Sequence, residues 1–269
     1  MKLVATVHAA ANLESAVDAF GAATGLTPAE ARMRLVTEAP MLLASLPPER
    51  AEALVEALRQ AGLEVLAVDA AVPSDAERTV ARTFTLGPMG ATFQPRTGAA
   101  VELPWSEVGA ILRGSSSVRS ETETVHESKK ASLVMTLASQ GLKTTRTVER
   151  TERSQQEETE QVLFVYGRGG QRIALREREL DFSCLGAAMQ PTRMANMVAL
   201  ARLLKEKAPG AFYDERLVRL GRRPLPPFVS SGESLAQVGK TAQKRLDTSR
   251  GLDVLAEVLW RGVVARLLP

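Results

Sequence analysis

Few residues in this 269-residue chain combine the type and the spacing that chemistry needs. Gly232, followed by Gly239-Lys240-Thr241, comes nearest to a phosphate loop. A phosphate cradle needs four residues between its glycines, a buried strand before them and a helix after, so that backbone amides close around the anion. Here six residues intervene without a convincing strand before them, which predicts a helical turn. Gly167-Arg168-Gly169-Gly170 has amides to offer an anion. It lies between Gln161–Tyr166 and Arg172–Arg176, however, and reads as the turn of a hairpin. Cys184 is the single cysteine, and His8 and His126 are the two histidines. A nucleophilic thiol needs a base within reach, and its neighbours Asp181-Phe182-Ser183 supply no imidazole, so a buried structural thiol is expected. His126 falls in a charged strand as a solvated side chain, and His8 at a partly exposed turn. One cysteine and two histidines do not make a zinc site unaided, and Glu157-Glu158-Thr159-Glu160 lacks the glycine and aspartate spacing of a calcium loop. The sequence therefore predicts no catalytic set, no metal and no cofactor.

Composition narrows the classes further. Hydrophobic residues make up 45% and charged residues 24%, a globular balance that excludes wholesale disorder. The net charge is +3, unevenly spread: residues 1–72 sum to −4, residues 73–228 to +5 and residues 229–269 to +2. A surplus of five over so long a stretch is too dilute for a nucleic-acid stripe, and aromatics at 4% leave little for base stacking, so nucleic acid is not an expected partner. A lone cysteine suits a reducing compartment, and no run of apolar residues is long enough to span a bilayer, so a cytoplasmic protein without a transmembrane segment is expected.

The elements that must position any site begin with Leu3–Val7, a short β-branched apolar run that reads as a strand. Asn12 is a good N-cap for a helix with Val17, Phe20 and Ala23 inward, stopped by Gly25. Thr27-Pro28-Ala29-Glu30 has the capping-box pattern for a second helix, with Met33, Leu35 and Val36 expected inward. Ala39-Pro40 to Leu46 reads as an apolar connector, partly extended. Pro48 opens a third helix with Ala51, Leu54, Val55 and Leu58 on one face, closed by Gly62, and Leu63–Val68 is a closing strand whose alternation is imperfect.

This succession, with Thr24-Gly25-Leu26, Glu30-Ala31, Ala39-Pro40, Ala51-Glu52-Ala53-Leu54 and Leu63-Glu64-Val65 at its joints, resembles the C-terminal domain of the bacterial ribosomal stalk protein. The Clp protease adaptor family shares that fold. The resemblance covers residues 1–70 and implies a small α/β module that binds proteins through a helix; in the stalk family that helix bears lysines. In this chain the helix carries Arg32 and Arg34 instead, and where the adaptor family has a histidine the stretch reads Val36-Thr37-Glu38-Ala39.

Beyond a polar linker at 71–77 the period changes to two. Thr79–Leu86, Ala91–Phe93, Ala100–Leu103 and Val108–Leu112 are strand candidates, followed by polar runs at 118–130 and 143–160. In those runs Glu121, Glu123 and Glu127 have Arg146, Arg150 and Arg153 as cross-strand partners, and residues 128–142 interrupt the sheet as a short helix or an extra strand. Pro191–Lys207 is a helix with Met194, Met197, Val198, Ala201 and Leu204 inward. Short strands ending in one amphipathic helix, with Leu103-Pro104-Trp105-Ser106-Glu107-Val108 among them, are similar to bacterial pleckstrin-homology-like domains. That resemblance implies an antiparallel barrel over 77–210, closed by helix 191–207 and anchored by Trp105. Residues 211–269 are expected as a linker, punctuated by Pro224–Phe228, and a helical tail over 233–268. In its last helix Leu252, Leu255, Leu259, Val263 and Leu267 form a stripe broadened by Trp260 and Val264, which docks on the body or on a second copy.

The expected fold is thus α+β, and the expected role is that of a non-catalytic interaction protein. Its partner surface is the helical face of the module, through Arg32 and Arg34, or the polar β ribbon offered as an edge for a partner strand. The alternative is an anionic lipid or small ligand held by the basic β domain, for which Arg82, Arg96 and Arg113 are the candidate residues. Leu255, Leu259, Trp260 and Val263 are the candidates for tail docking or homodimerisation.

Overall fold

A computed structural model of the chain describes all residues except 11, 37, 71–76, 132–144, 223–230 and 239–240, with side chains outside 121, 123–153 and 221–246. The chain is mixed α+β. It forms two compact units: residues 1–116, 159–230 and 248–269 make the body, and residues 117–158 with 231–247 make the second. The linker 71–76, most of the interruption at 128–142 and Pro224–Phe228 lie outside the described residues.

The N-terminal module runs β1 (Lys2–Thr6), α1 (Leu13–Thr24), α2 (Pro28–Leu35), β2 (Met41–Leu46), α3 (Pro48–Gln60) and β3 (Val65–Asp69). Its helix ends are where the capping chemistry puts them. Asn12 Oδ1 accepts from the Ser15 amide at 3.3 Å, and Gly25 ends α1 at φ +74°. Thr27 and Glu30 form a reciprocal capping box, with the Thr27 amide donating to the Glu30 carboxylate at 2.9 Å. The apolar connector is a full strand, β2, antiparallel to β1, and the sheet order is β2-β1-β3.

Each strand of this sheet divides its side chains between two cores. Val4, Leu43 and Val65 pack against Phe20, Leu54 and Leu58 of the module's helices. Leu3, Ala5, Val7, Leu42, Leu66 and Val68 point to the opposite face and belong to a different cluster. Strands buried on both faces read as unbroken apolar runs, which is why β3 alternates poorly in the sequence.

In the rest of the body, β4 (Thr79–Leu86), β5 (Gly90–Pro95) and β6 (Val101–Pro104) form an antiparallel meander. They join the first part of β7 (Val108–Ala131), the last part of β8 (Thr145–Gly167) and β9 (Arg172–Arg176) in the order β7-β8-β9-β4-β5-β6. β4 meets β9 in parallel, through Thr79 opposite Ile173 and Val80 opposite Ala174. The described strands form no closed barrel, so the expected closure is corrected to an open path. Gly167–Gly170 is the hairpin turn, with Gly170 at φ +93°. Trp105 is half-buried at the β6–β7 corner, where it packs against the margin of the core and donates from Nε1 to the Gly87 carbonyl at 3.1 Å.

α4 (Arg193–Lys207), capped by Thr192, lies on one face of this sheet. Its buried stripe is Met197, Leu200, Ala201 and Leu204, whereas Met194 is 51% exposed, a rotation of the expected face by part of a turn. A three-residue strand, β10 (Phe212–Asp214), then pairs in parallel with β7.

The largest departure from expectation lies at residues 231–247. The tail is not helical there: β11 (Ser231–Val238) and β12 (Thr241–Asp247) form an antiparallel hairpin, and β12 pairs with β7 from Thr241–Thr124 to Asp247–Val118. Ala, Gln and Lys in this stretch favour helix locally, but a ladder of backbone partners overrides so weak a preference.

α5 (Ser249–Val264) follows, and it is buried on almost every side. Leu252, Leu255 and Leu259 share one cluster with Leu3, Val7 and Leu66 of the module and with Ala110, Phe164 and Ala174 of the larger sheet. On β7, β8 and β9 the intervening residues Ile111, Leu163, Val165 and Leu175 face α4 instead. The body is therefore a stack of module helices, module sheet, α5, larger sheet and α4. The stripe expected on α5 is broader than one face because two sheets cover the helix, although at its C-terminal end Arg261 is exposed and Val264, expected to broaden the stripe, is 61% exposed.

Close approach of α5 to β7 rests on two glycines. A Cβ at Gly109 would stand 2.6 Å from the Trp260 ring, and one at Gly114 would collide with Leu252. Overpacking of this kind costs about 1–3 kcal/mol. Gly114→Ala is expected to lower the unfolding free energy from urea melts by that amount, whereas Gly210→Ala, in open space, should change it by less than about 0.5 kcal/mol. Equal midpoints for the two variants would contradict this packing.

Candidate functional site

α2 is the least buried helix of the module. Eight residues give it little more than two turns, and only Ala31 and Leu35, one turn apart, reach the core. The other side therefore faces water. Met33 is 76% and Val36 62% exposed, which corrects the inward orientation expected for both. Arg32 and Arg34 flank them. Arg32 pairs with Glu14 of α1, and Arg34 Nη1 donates to the Leu43 carbonyl at 3.1 Å, so both guanidiniums are held against the module. The surface offered by α2 is thus apolar at its centre and bordered by anchored arginine stems.

The three arginines expected to hold an anion are not gathered. Arg113 pairs with Glu215 at 3.2 Å, and Arg96 lies exposed at the β5–β6 turn. Arg82 instead lines a cleft of about 370 Å³ with Arg178, beyond β9, and Arg193, in the first turn of α4. Sequence reading missed the latter two because the site is assembled from three elements distant in the chain, with no local motif to mark it.

Cys184 is exposed, which corrects the buried thiol. The 3-10 segment Phe182–Ala188 buries Phe182 and Leu185, three residues apart, and so turns Ser183 and Cys184 outward. His8 is 46% exposed and pairs with Glu64 at 3.3 Å. The side chain of His126 and the ribbon pairs of Glu121, Glu123 and Glu127 with Arg146, Arg150 and Arg153 lie outside the described residues. So do Gly239 and Lys240, but the flanking Gly232 and Thr241 stand in β11 and β12, where strand follows strand and a phosphate loop would require a helix. In the second unit β11 is a terminal strand, paired on one side by β12. Among the described residues no group of three or more His, Cys, Asp and Glu is placed to hold a metal ion, and no helix is long and apolar enough to cross a membrane.

The candidate tail residues are interior. Leu255, Leu259 and Trp260 are buried within the chain's own core and Val263 is partly buried against it, so this stripe is covered without a second copy. The same helix carries buried charge. Glu257 is fully buried and accepts from Arg172 at two 3.1 Å hydrogen bonds and from Arg261, one turn on, at 2.9 Å. Asp253 meets Arg78 at 2.6 Å and Arg176 at 3.5 Å. The Tyr166 ring stacks on Trp260 with centroids 5.3 Å apart, and its hydroxyl, buried beside these charges, has no hydrogen-bond partner among the described residues. Burial, and then the Glu257 carboxylate, push the Tyr166 phenol well above the usual tyrosine range.

The chain matches no known family model, and no curated protein is significantly similar to it.

Two outcomes are expected of this buried layer. Glu257→Ala leaves the Arg172 guanidinium without its carboxylate and should cost about 3–5 kcal/mol in urea unfolding, most of it recovered in the Glu257→Leu, Arg172→Met double variant. Recovery by the pair is the decisive reading, and its failure would mean that the ion pair is not what Glu257 supplies. Tyr166→Phe keeps the stack and removes only the unpartnered hydroxyl, so stability should stay level or rise by about 1 kcal/mol. The raised phenol pKa stabilises the fold fully below about pH 10 and ceases to do so as pH climbs towards the folded-state value. Tyr166→Phe should therefore flatten the fall in stability above about pH 10, as read from urea melts across that range; an unchanged slope would count against it.

Proposed function

We propose that the chain is a non-catalytic interaction protein whose main docking surface is the outward side of α2. The observation that carries this reading is the exposure of Met33 and Val36 on a helix that buries only two residues. The mounting of the module explains why that side is available. The module's sheet is covered by its own helices on one face and by α5 on the other, so the helix layer is what it presents. Two large apolar side chains between fixed arginines suit a partner with an apolar pocket, since anchored side chains lose little further freedom on binding. The stalk-like resemblance of residues 1–70 implies the same mode, protein binding through a helix, and the single cysteine suits a cytoplasmic setting.

The test compares capture by the wild-type chain with capture by a Met33→Glu, Val36→Glu variant. Both residues are exposed, so the variant should unfold within about 0.5 kcal/mol of the wild type. A partner retained by the wild type and, once purified, bound at least about tenfold more weakly by the variant supports the proposal. Equal binding of every retained partner, or no retained partner at all, overturns it.

A further inference from the structure

We propose that the cleft where α5 ends is a binding site for a carboxylate monoanion with an apolar body, separate from the α2 surface. The cleft measures about 410 Å³, within the range of small-molecule sites. It lies between the C-terminal end of α5, the start of β7 and the β8–β9 turn. Trp260, Val263, Phe212 and Leu268 give it apolar walls, and Gly210 leaves open space beside them. Two arginines complete the lining: Arg168 from the β8–β9 turn and Arg266 from just beyond α5. Arg168 Nη2 donates to the Gly210 carbonyl at 3.3 Å, which orients the guanidinium without cancelling its charge. The Arg168 amide is used by the Glu107 carbonyl at 2.8 Å, and those of Gly167 and Gly170 are used within the turn. What the glycine-rich turn offers an anion is therefore the Arg168 side chain.

Arg266 supplies the second observation. Among the described residues it is the only one other than glycine with a left-handed backbone, at φ +56°. The chain folds back there, so that the Leu267 and Leu268 amides both donate to the Gly262 carbonyl, at 2.9 and 3.3 Å. Glycine is the default at such a helix end, because a Cβ is strained in that conformation. Among the described residues no hydrogen bond or ion pair engages the Arg266 guanidinium, so nothing within them offsets the strain. An arginine kept where glycine would be easier indicates a use for its charge. No Asp or Glu side chain lines the cleft, so the two guanidiniums outnumber the α-carboxylate that Pro269 can bring. Nearby, Glu107 is exposed outside the lining, and Glu257 is held by Arg172 and Arg261. One surplus positive charge beside apolar walls suits a single carboxylate head on an apolar body, and a phosphate dianion has no such body. Trp260 and Leu268 are buried and Phe212 half-buried, a low-dielectric floor that strengthens the attraction.

The test is calorimetric titration of the full chain with octanoate and with phenylacetate, against octanamide and inorganic phosphate. Saturable binding of either carboxylate supports the site, and the tighter of the two shows whether it prefers a chain or a ring. Octanamide keeps the body and loses the charge, and phosphate does the reverse; each should bind at least about tenfold more weakly. Arg266→Gly removes one guanidinium and relieves the backbone. Binding should fall at least about tenfold while the urea midpoint stays level or rises, a combination that a merely structural arginine would not give. Arg168→Gln serves as a second variant, which keeps a donor for the Gly210 carbonyl and loses the charge, and it should weaken binding likewise. Met33→Glu, Val36→Glu should bind octanoate like the wild type, so failure here and failure of the α2 proposal are distinguishable. Absence of saturable carboxylate binding, equal binding of octanamide or phosphate, or binding indifferent to Arg266→Gly overturns the site.

Discussion

The body depends on one constraint: α5 has to be enclosed. Its leucines and valines face two sheets at once, and each sheet has a second apolar face that needs its own helices. Each fully buried Leu or Val contributes about 1.5–3 kcal/mol, so the cluster around α5 outweighs any single polar contact in the chain. Such a helix would pack at many rotations and axial positions, because apolar burial is not directional. The two carboxylates remove that freedom. Asp253 and Glu257 lie one turn apart and find Arg78, just before β4, and Arg176 and Arg172, on β9. Buried ion pairs add little net stability because desolvation offsets their attraction. Here they act as a register mark, set by the requirement that no charge be buried alone. Gly109 and Gly114 complete the fit by letting β7 approach the helix.

The same enclosure ties the module down. Arg216 donates to the Val7 carbonyl at 2.7 Å and Arg250 to the Ala70 carbonyl at 2.6 Å, one contact beyond each outer end of the module's β1 and β3. Both carbonyls lie at strand ends, where the sheet has no further ladder partner to give them. The guanidiniums therefore satisfy backbone groups that burial would otherwise leave unpaired.

Much of the module was legible in the sequence because its signals are local. A capping box, an Asn cap, two glycine stops and three stripes at helical spacing act within a few residues of one another. What failed was the sense of α2. Met33 and Val36 are apolar, but with only two turns the helix has room for a single buried pair, Ala31 and Leu35. The hairpin at 231–247 failed for the opposite reason, since its conformation is decided by β7, more than a hundred residues earlier. The imperfect alternation of β3 was a usable signal left unread. A strand apolar at consecutive positions announces two covering layers, and the broad apolar surface of α5 supplies one of them. The arginine cleft had no such signal, because neither Arg178 nor Arg193 has a neighbour in sequence that marks it as part of a site.

The layer order also determines where working surfaces can be. Every inner face is consumed: the module sheet by α1–α3 and α5, the larger sheet by α5 and α4. What remains are the two outer helix layers and the ends of the layers, where the cleft beside α5 opens. α2 lies in the module's helix layer, and the arginine cleft opens beside the start of α4. With neighbouring layers about 10 Å apart, four spacings separate them by roughly 40 Å. Direct electrostatic influence over that distance is lost, since charges are screened within about 8–10 Å at ordinary salt. The two surfaces are therefore linked only through the layers between them, the middle one of which is α5. Its two carboxylates fix one position, and any other leaves at least one of them buried without its arginine. That enclosed helix makes the body a rigid mount with two separate faces.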